Sequence, residues 1–475
     1  MRSRFVMLSI ALGLLLSAGL MIALQAPVTT TAAQMVFDST EDNAATSLSA
    51  QQAISTAYVV VRFGTHDTIV RPITFTEPIS AYHALELSGL AFTTDDSGFG
   101  LFLCSIEEIG DSSPACDNGD RYWGISAWNA AEERWDMRLV GIADAMITED
   151  GHIEGFSWSD PGWTAVDPPP ATPLTAAWQA LTWLKPQQKA DGSFGVPGNT
   201  AEVLMALSAN RMDGAVWPQD GGPSVLAAMQ RQGRQLAATT AGVGKLALAL
   251  TPQETCWPFG VPQPLDYYSV TTGVFNVDTA PHALAMLGTS ALSQTVPATA
   301  TAYLLSLQQP SGGWEWGVGW GADTNTTALA LQALIATGES PTSTAVISGL
   351  TYLKQAQNDD GGFPYDPASQ YGTDSDTNST AYVVQALLAV GENPLSSEWS
   401  VGGMTGTMII SGTNPIAFLL GMQLADGSFA WQKGLGTDQM ATQQAVTALL
   451  YRPFPIRSAD LPPCEAIFLP FVTRD

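Results

Sequence analysis

Gln357-Asn-Asp-Asp-Gly-Gly-Phe363, followed by an acidic loop and then Asp376-Thr-Asn-Ser-Thr-Ala-Tyr-Val-Val-Gln-Ala-Leu-Leu-Ala-Val-Gly391, decides the fold. A polar, glycine-centred turn ends one helix, and a second helix opens near Asn378 and stops at Gly391. The same order recurs at Gln308 to Trp314 with a helix to Gly338, at Gln188 to Phe194, and at Gln423 to Phe429. Degenerate copies run from Ser224 to Cys256 and from Tyr267 to Gly288, which makes six units between about 175 and 455. The helix before the turn is amphipathic, with Val346, Leu350 and Leu353 on one side. The helix after it is apolar nearly all round, as expected of a helix buried on every side. Asn378 and Asn325 are good helix starters, and Gly391 and Gly338 stand where a left-handed cap belongs. A unit of this kind cannot build a core alone, so the repeats must stack.

The turn resembles the QW-type repeat of the prenyltransferase and squalene-oxidase (squalene cyclase-like) family. That resemblance implies an (α/α)6 toroid, six helical hairpins around a central cavity, over 175–455. Fold does not fix activity. A cyclase of this family protonates an alkene with a carboxylic acid set in a D-x-D-D-T-A frame. The corresponding frames here are Asp376 to Ala381 and Asp323 to Ala328, with Asn378 and Asn325 where the donor belongs. A carboxamide is no Brønsted acid, so the expectation is that squalene and shorter polyprenyl chains are not cyclised. Asp374 and Asp376 remain as weak catalytic candidates. The protein-prenylating branch needs a zinc site of Asp, Cys and His, but this chain reads Glu254-Thr255-Cys256 with His282, and no metal is expected. Gly242-Val-Gly-Lys245 lacks the glycine spacing and the hydroxyl residue of a phosphate loop and belongs to the entry of an inner helix.

In the toroid that the resemblance implies, the loops entering the inner helices face one end of the cavity. They carry Trp316, Trp320, Asp323, Asn325, Tyr365, Tyr371, Asp374, Asp376, Asn378 and Trp431, a set of aromatic walls and polar groups suited to a small organic ligand. The turn aromatics Phe194, Trp314, Phe363 and Phe429 read as wedges between repeats. The expectation is a non-catalytic binder of a small ligand, with a terpenoid or squalene cyclase-like enzyme as the alternative and a cell-surface interaction module third.

The rest of the 475 residues divides around this region. Arg2 and Arg4 precede an uncharged run from Phe5 to Leu24, which reads as an export signal over 1–33, with a polar leader over 34–52. An extracellular or cell-surface location follows, with membrane contact only through that segment if it stays uncleaved. Residues 53–166 alternate as strands with one helix from Ser80 to Leu90, forming a small β-rich α+β domain. Asp167 to Pro173 is a polyproline spacer (167–174), and 456–475 is an apolar tail. The first domain loosely resembles the β domain of cobalamin carriers such as intrinsic factor and transcobalamin, which implies a corrinoid as a ligand to test. Four cysteines in an exported chain favour pairing, Cys104 with Cys116 and, by elimination, Cys256 with Cys464. A formal net charge of −26 with only 13% charged residues argues against nucleic acid as a partner. Nothing in the sequence sets the oligomeric state.

Overall fold

A computed structural model describes residues 54–96, 100–217, 221–370, 372–402 and 413–456, with the backbone alone at 404–405 and 408–409. These residues fall in one compact unit. Four strands of its first region are β1 (Ser55–Gly64), β2 (Asp67–Phe75), β3 (Ile79–Ser80) and β4 (Phe92–Asp96), with helix α1 (Ala81–Ser88) between the last two. Then come β5 (Leu101–Ile106), β6 (Ile109–Gly110), β7 (Trp123–Asn129), β8 (Arg134–Met137), β9 (Met146–Ile147) and β10 (Ile153–Trp158). The main sheet has the order β2-β1-β10-β7-β8, with β1 and β10 parallel and the other neighbours antiparallel. The run Val59-Val60-Val61 feeds both faces, because side chains alternate along a strand. Val59 and Val61 pack toward Ala81, Ala84 and Leu85 of α1, while Val60, Val70 and Trp135 join the core of the helical region. Cys104 and Cys116 are disulfide-bonded in this region. Cys256 is disulfide-bonded too, and its expected partner Cys464 lies outside the described residues.

The helical region contains α2 (Ala171–Leu184), α3 (Pro197–Ala209), α4 (Val225–Leu236), α5 (Thr240–Leu250), α6 (Thr279–Ala291), α7 (Ala298–Ser306), α8 (Thr324–Ala336), α9 (Thr344–Ala356), α10 (Thr377–Val390), α11 (Pro415–Gly421) and α12 (Gln439–Leu449). Six of these, α3, α5, α6, α8, α10 and α12, touch one another in that order, and α12 returns to α3. Among the described residues α2, α4, α7, α9 and α11 lie outside the cycle, each bridging two inner helices. The expected sixth outer helix is missing between α5 and α6, where the 3-10 turn Pro264–Tyr267 takes its place. Proline at 258, 262 and 264 in that stretch removes the N–H groups that a longer helix would need.

One set of contacts repeats through the four clear copies of the motif. The glutamine amide donates to the carbonyl of its own turn glycine and to one carbonyl of the neighbouring unit: Gln308 Nε2 to Gly312 O (2.7 Å) and Ala345 O (2.8 Å), with Gln188, Gln357 and Gln423 alike. The aromatic ring is buried in every copy. Its backbone N–H donates to a threonine hydroxyl one helix later: Phe194 to Thr200, Trp314 to Thr327, Phe363 to Thr380, Phe429 to Thr442. Thr380→Val keeps the shape but leaves the buried Phe363 N–H without its acceptor. It should cost about 1–3 kcal/mol, read as a lower denaturant midpoint.

The sheet meets the ring at the C-terminal ends of the inner helices. Arg452, just past α12, donates to Ala209 O (3.0 Å) and pairs with Asp67 at the start of β2. Gln385 of α10 donates to Arg452 O (3.1 Å), and Phe454 N donates to Gln332 Oε1 of α8 (2.8 Å). Together these contacts tie the segment after α12 across that end of the ring.

Candidate functional site

The opposite end, where the inner helices begin, holds the residues expected at the mouth. The helix starters there are aspartates and not the expected asparagines. Asp323 Oδ1 accepts the N–H of Thr326 (2.7 Å), Asp376 Oδ1 that of Ser379 (2.8 Å), and Asp438 Oδ1 that of Ala441 (2.7 Å). The short carboxylate reaches the orphan amides of the first turn from the position before the helix, so Asn325 and Asn378 move two residues inside it. Asp323 and Asp376 are buried. Asp374 is exposed on the loop, and Tyr371 lies outside the described residues.

Trp316, Tyr365 and Trp431 each follow a turn aromatic by two residues, so they belong to the repeat template. They knit the rim: Thr279 N donates to Trp316 O (3.0 Å), Thr324 N to Tyr365 O (3.0 Å), and Thr377 N to Trp431 O (2.9 Å). These three residues stay 40%, 46% and 45% exposed at the mouth. Trp320 is 54% exposed, with its ring 5.7 Å from that of Trp316. Its loop is held by Glu315, whose Oε2 accepts the N–H groups of Gly319, Trp320 and Gly321 at 2.8–3.1 Å. Sequence reasoning passed over Glu315 because an isolated glutamate beside a tryptophan carries no pattern.

Burial is the main influence on the two mouth carboxyls. It pushes Asp323 up to about 7, with Asp366 adding to it against the bonds from Thr326 and Trp316. It pushes Asp376 up to about 6 against the bonds from Ser379, Asn378 and Trp431. Each group can therefore hold a proton near neutral pH, next to aromatic rings.

A second polar layer lies deeper. Six residues after their helix N-caps at Val196, Thr239, Asp278, Asp323, Asp376 and Asp438 stand Glu202, Lys245, Leu284, Leu329, Tyr382 and Gln444. Four of them are joined. Lys245 Nζ donates to Glu202 Oε1 (2.5 Å), which also receives Gln444 Nε2 (3.3 Å) and the Tyr382 hydroxyl (3.4 Å). Asn378 Nδ2 donates to Gln444 Oε1 (2.6 Å), linking the mouth to this layer. Burial alone would lower the Lys245 pKa, but Glu202 outweighs it and the ammonium is held above its usual range. Burial, and then Glu202, raise the Tyr382 phenol. The sequence held one clue to this layer, a charged residue inside each of two apolar helices.

The remaining candidates have structural partners. His282 is buried in α6, where its Nδ1 accepts the N–H of Phe275 (3.2 Å) and its Nε2 lies 3.0 Å from Ala300 O. Gly242 to Lys245 form the first turns of α5. Gly244 makes a close approach there, because a Cβ on it would stand 2.1 Å from Leu284 O.

Comparison with known proteins places this mouth in context. Residues 266–405, which contain both Asp323 and Asp376, match the family model of the squalene-hopene cyclase C-terminal domain. No curated protein matches the chain. The type II terpene cyclase MstE from Scytonema is similar in structure at 14% identity over 60% of this chain and 98% of that one, with a TM-score of 0.43. A variant of the same cyclase in complex with geranylgeranyl dihydroxybenzoate, its substrate, gives 13% identity over 59% and 97% at 0.38. A protein from Actinoplanes gives 14% over 59% and 98% at 0.40. The comparisons give no support to the resemblance of residues 53–166 to cobalamin-carrier domains. The family match overturns the expectation of a non-catalytic binder in favour of its cyclase-like alternative. That expectation placed the donor position at Asn378 and Asn325 and kept Asp374 and Asp376 only as weak candidates, whereas the carboxyls with raised pKa stand at Asp376 and Asp323. Over residues 266–405, the repeats are similar to the squalene-hopene cyclase C-terminal domain.

Proposed function

We propose that this protein is a type II terpene cyclase-like enzyme that protonates a polyprenyl substrate at the mouth of its ring of six inner helices. The observation that carries the reading is the pair of buried carboxyls, Asp323 and Asp376, whose pKa values of about 7 and about 6 leave a fraction protonated near neutral pH. A neutral carboxylic acid delivers its proton to an alkene carbon, the π electrons form the new C–H bond, and the cation is left on the neighbouring carbon. Trp316, Tyr365 and Trp431, part-exposed at the mouth, suit that cation, because the ring quadrupole attracts positive charge. Asp323 has Tyr365 and Asp366 beside it, and burial with Asp366 keeps its carboxyl raised. The protein is read as exported, on the strength of the N-terminal segment.

Incubating the purified chain with prenyl substrates of several lengths and extracting the products tests the reading. Cyclised product is expected at slightly acid pH. Unchanged substrate at every length and pH would sink it.

A further inference from the structure

We propose that the layer below the mouth is a recognition subsite in which Lys245 and Tyr382 bind an oxygen-bearing end of the substrate, a hydroxyl or a carboxylate. The inference rests on the cyclase reading for the prenyl part of the ligand and on the ring geometry for the rest. Asn325 and Asn378 lie two residues past their N-caps, and the polar layer lies six past, so about four residues separate them. At 1.5 Å rise per residue that is roughly 6 Å of depth. Below the layer, Gln385 and Gln332 are hydrogen-bonded to Arg452 and Phe454 of the segment that follows α12. A chain end entering from the mouth meets Lys245 and Tyr382 before it reaches those residues.

What it meets there is polar and has bonding capacity to spare. An ammonium has three N–H donors. Lys245 has one hydrogen-bond partner among the described residues, Glu202, and its side chain keeps 22% of its surface exposed although it lies inside the ring. The Tyr382 hydroxyl sits at a long 3.4 Å from Glu202 and from Gln444 Nε2. A hydrocarbon end placed against these groups would strip their water and return no hydrogen bond, which is costly for a charged donor. A hydroxyl or carboxylate would accept from the ammonium and restore the balance. The Glu202–Lys245 pair is neutral as a whole, so the layer itself favours neither of the two oxygen groups.

Binding is measured on the full-length protein by tryptophan fluorescence, with a prenyl hydrocarbon, the matching alcohol and the matching carboxylic acid. The alcohol, the acid or both should bind about tenfold or more tightly than the hydrocarbon, the scale of one hydrogen bond to a charged group. The comparison of the two shows which oxygen group the layer takes. Tyr382→Phe should reduce the preference and Lys245→Met should remove it. Glu202→Gln combined with Lys245→Met leaves no lone buried charge, and serves if the single lysine variant does not fold. Equal affinity for all three compounds in the wild type overturns the proposal, as does a preference that survives both lysine variants. Products are assayed in parallel: an oxygen preference without cyclised product upholds the subsite and sinks the cyclase reading, and product without preference does the reverse. Asp376→Asn should retain the preference, because the mouth carboxyl does not take part in it.

Discussion

Asp323→Asn should reduce cyclisation by about 10²–10⁴-fold, the range expected for loss of a positioned acid, and Asp376→Asn should do so if the proton comes from that site instead. The substitution separates acid from scaffold. Asparagine caps a helix about as well as aspartate, so the amides of Thr326 and Ser379 keep an acceptor and the helices stay in place. A carboxamide has no proton to give. Asp438 caps α12 in the same way. Asp438→Asn should therefore leave turnover within a few-fold of the wild type, and serves as the control. The rate should also fall as the pH rises through 6–7, tending to tenfold per pH unit above the pKa of the donor, because only the neutral acid delivers the proton. A profile that rises through this window, or Asn variants that turn over like the wild type, would exclude both residues as donors.

The same shifts bear on stability, with the sign set by proton uptake. The folded-state carboxyls titrate near 7 and 6, while an unfolded aspartate titrates near 3.9. Between those limits the native state binds more protons than the unfolded chain, so stability declines as the pH rises from about 4 to 7. Asp323→Asn should flatten that decline in a series of denaturant midpoints.

Gly312→Ala should destabilise the fold by several kcal/mol, the larger of the two expected effects on stability. Its φ is +90°, which costs a residue with a Cβ about 1–2 kcal/mol. The added carbon would also stand 2.3 Å from Ser348 O in α9, where a backbone carbonyl cannot move without shifting the helix. Strain of that kind adds about 1–3 kcal/mol. Gly319 separates the two causes. Its φ is +88° but nothing lies within 4 Å of an added Cβ, so Gly319→Ala should pay the backbone cost alone. Equal denaturant midpoints for the two variants would show that the turn does not dock tightly on its neighbour. Gly361, at φ +84° and 2.9 Å from Asn414 O, should follow Gly312.

The repeat, its glycines and its turn aromatics were legible in the sequence because they answer to local rules. A left-handed backbone needs glycine, a buried helix reads as apolar on all sides, and four copies at related spacings leave little room for chance. Strands β1, β2, β5, β7 and β10 and helix α1 were legible on the same grounds, through side-chain alternation and the helical spacing of Ala81, Ala84 and Leu85, whereas the short β3, β4, β6, β8 and β9 were not. Even the roles of Phe194, Trp314, Phe363 and Phe429 as wedges could be read, and all four are buried. The site was another matter. Whether Asp323 is an ordinary carboxylate or an acid that keeps its proton near pH 7 depends on how much water reaches it, and the walls that exclude water come from a loop some forty residues away, around Tyr365. Glu202, Lys245, Tyr382 and Gln444 are scattered over more than two hundred positions and look like isolated polar residues within apolar helices. Only the closing of α12 onto α3 brings them to one level of the ring, because a helix's phase relative to partners distant in sequence is set by packing and not by its own residues.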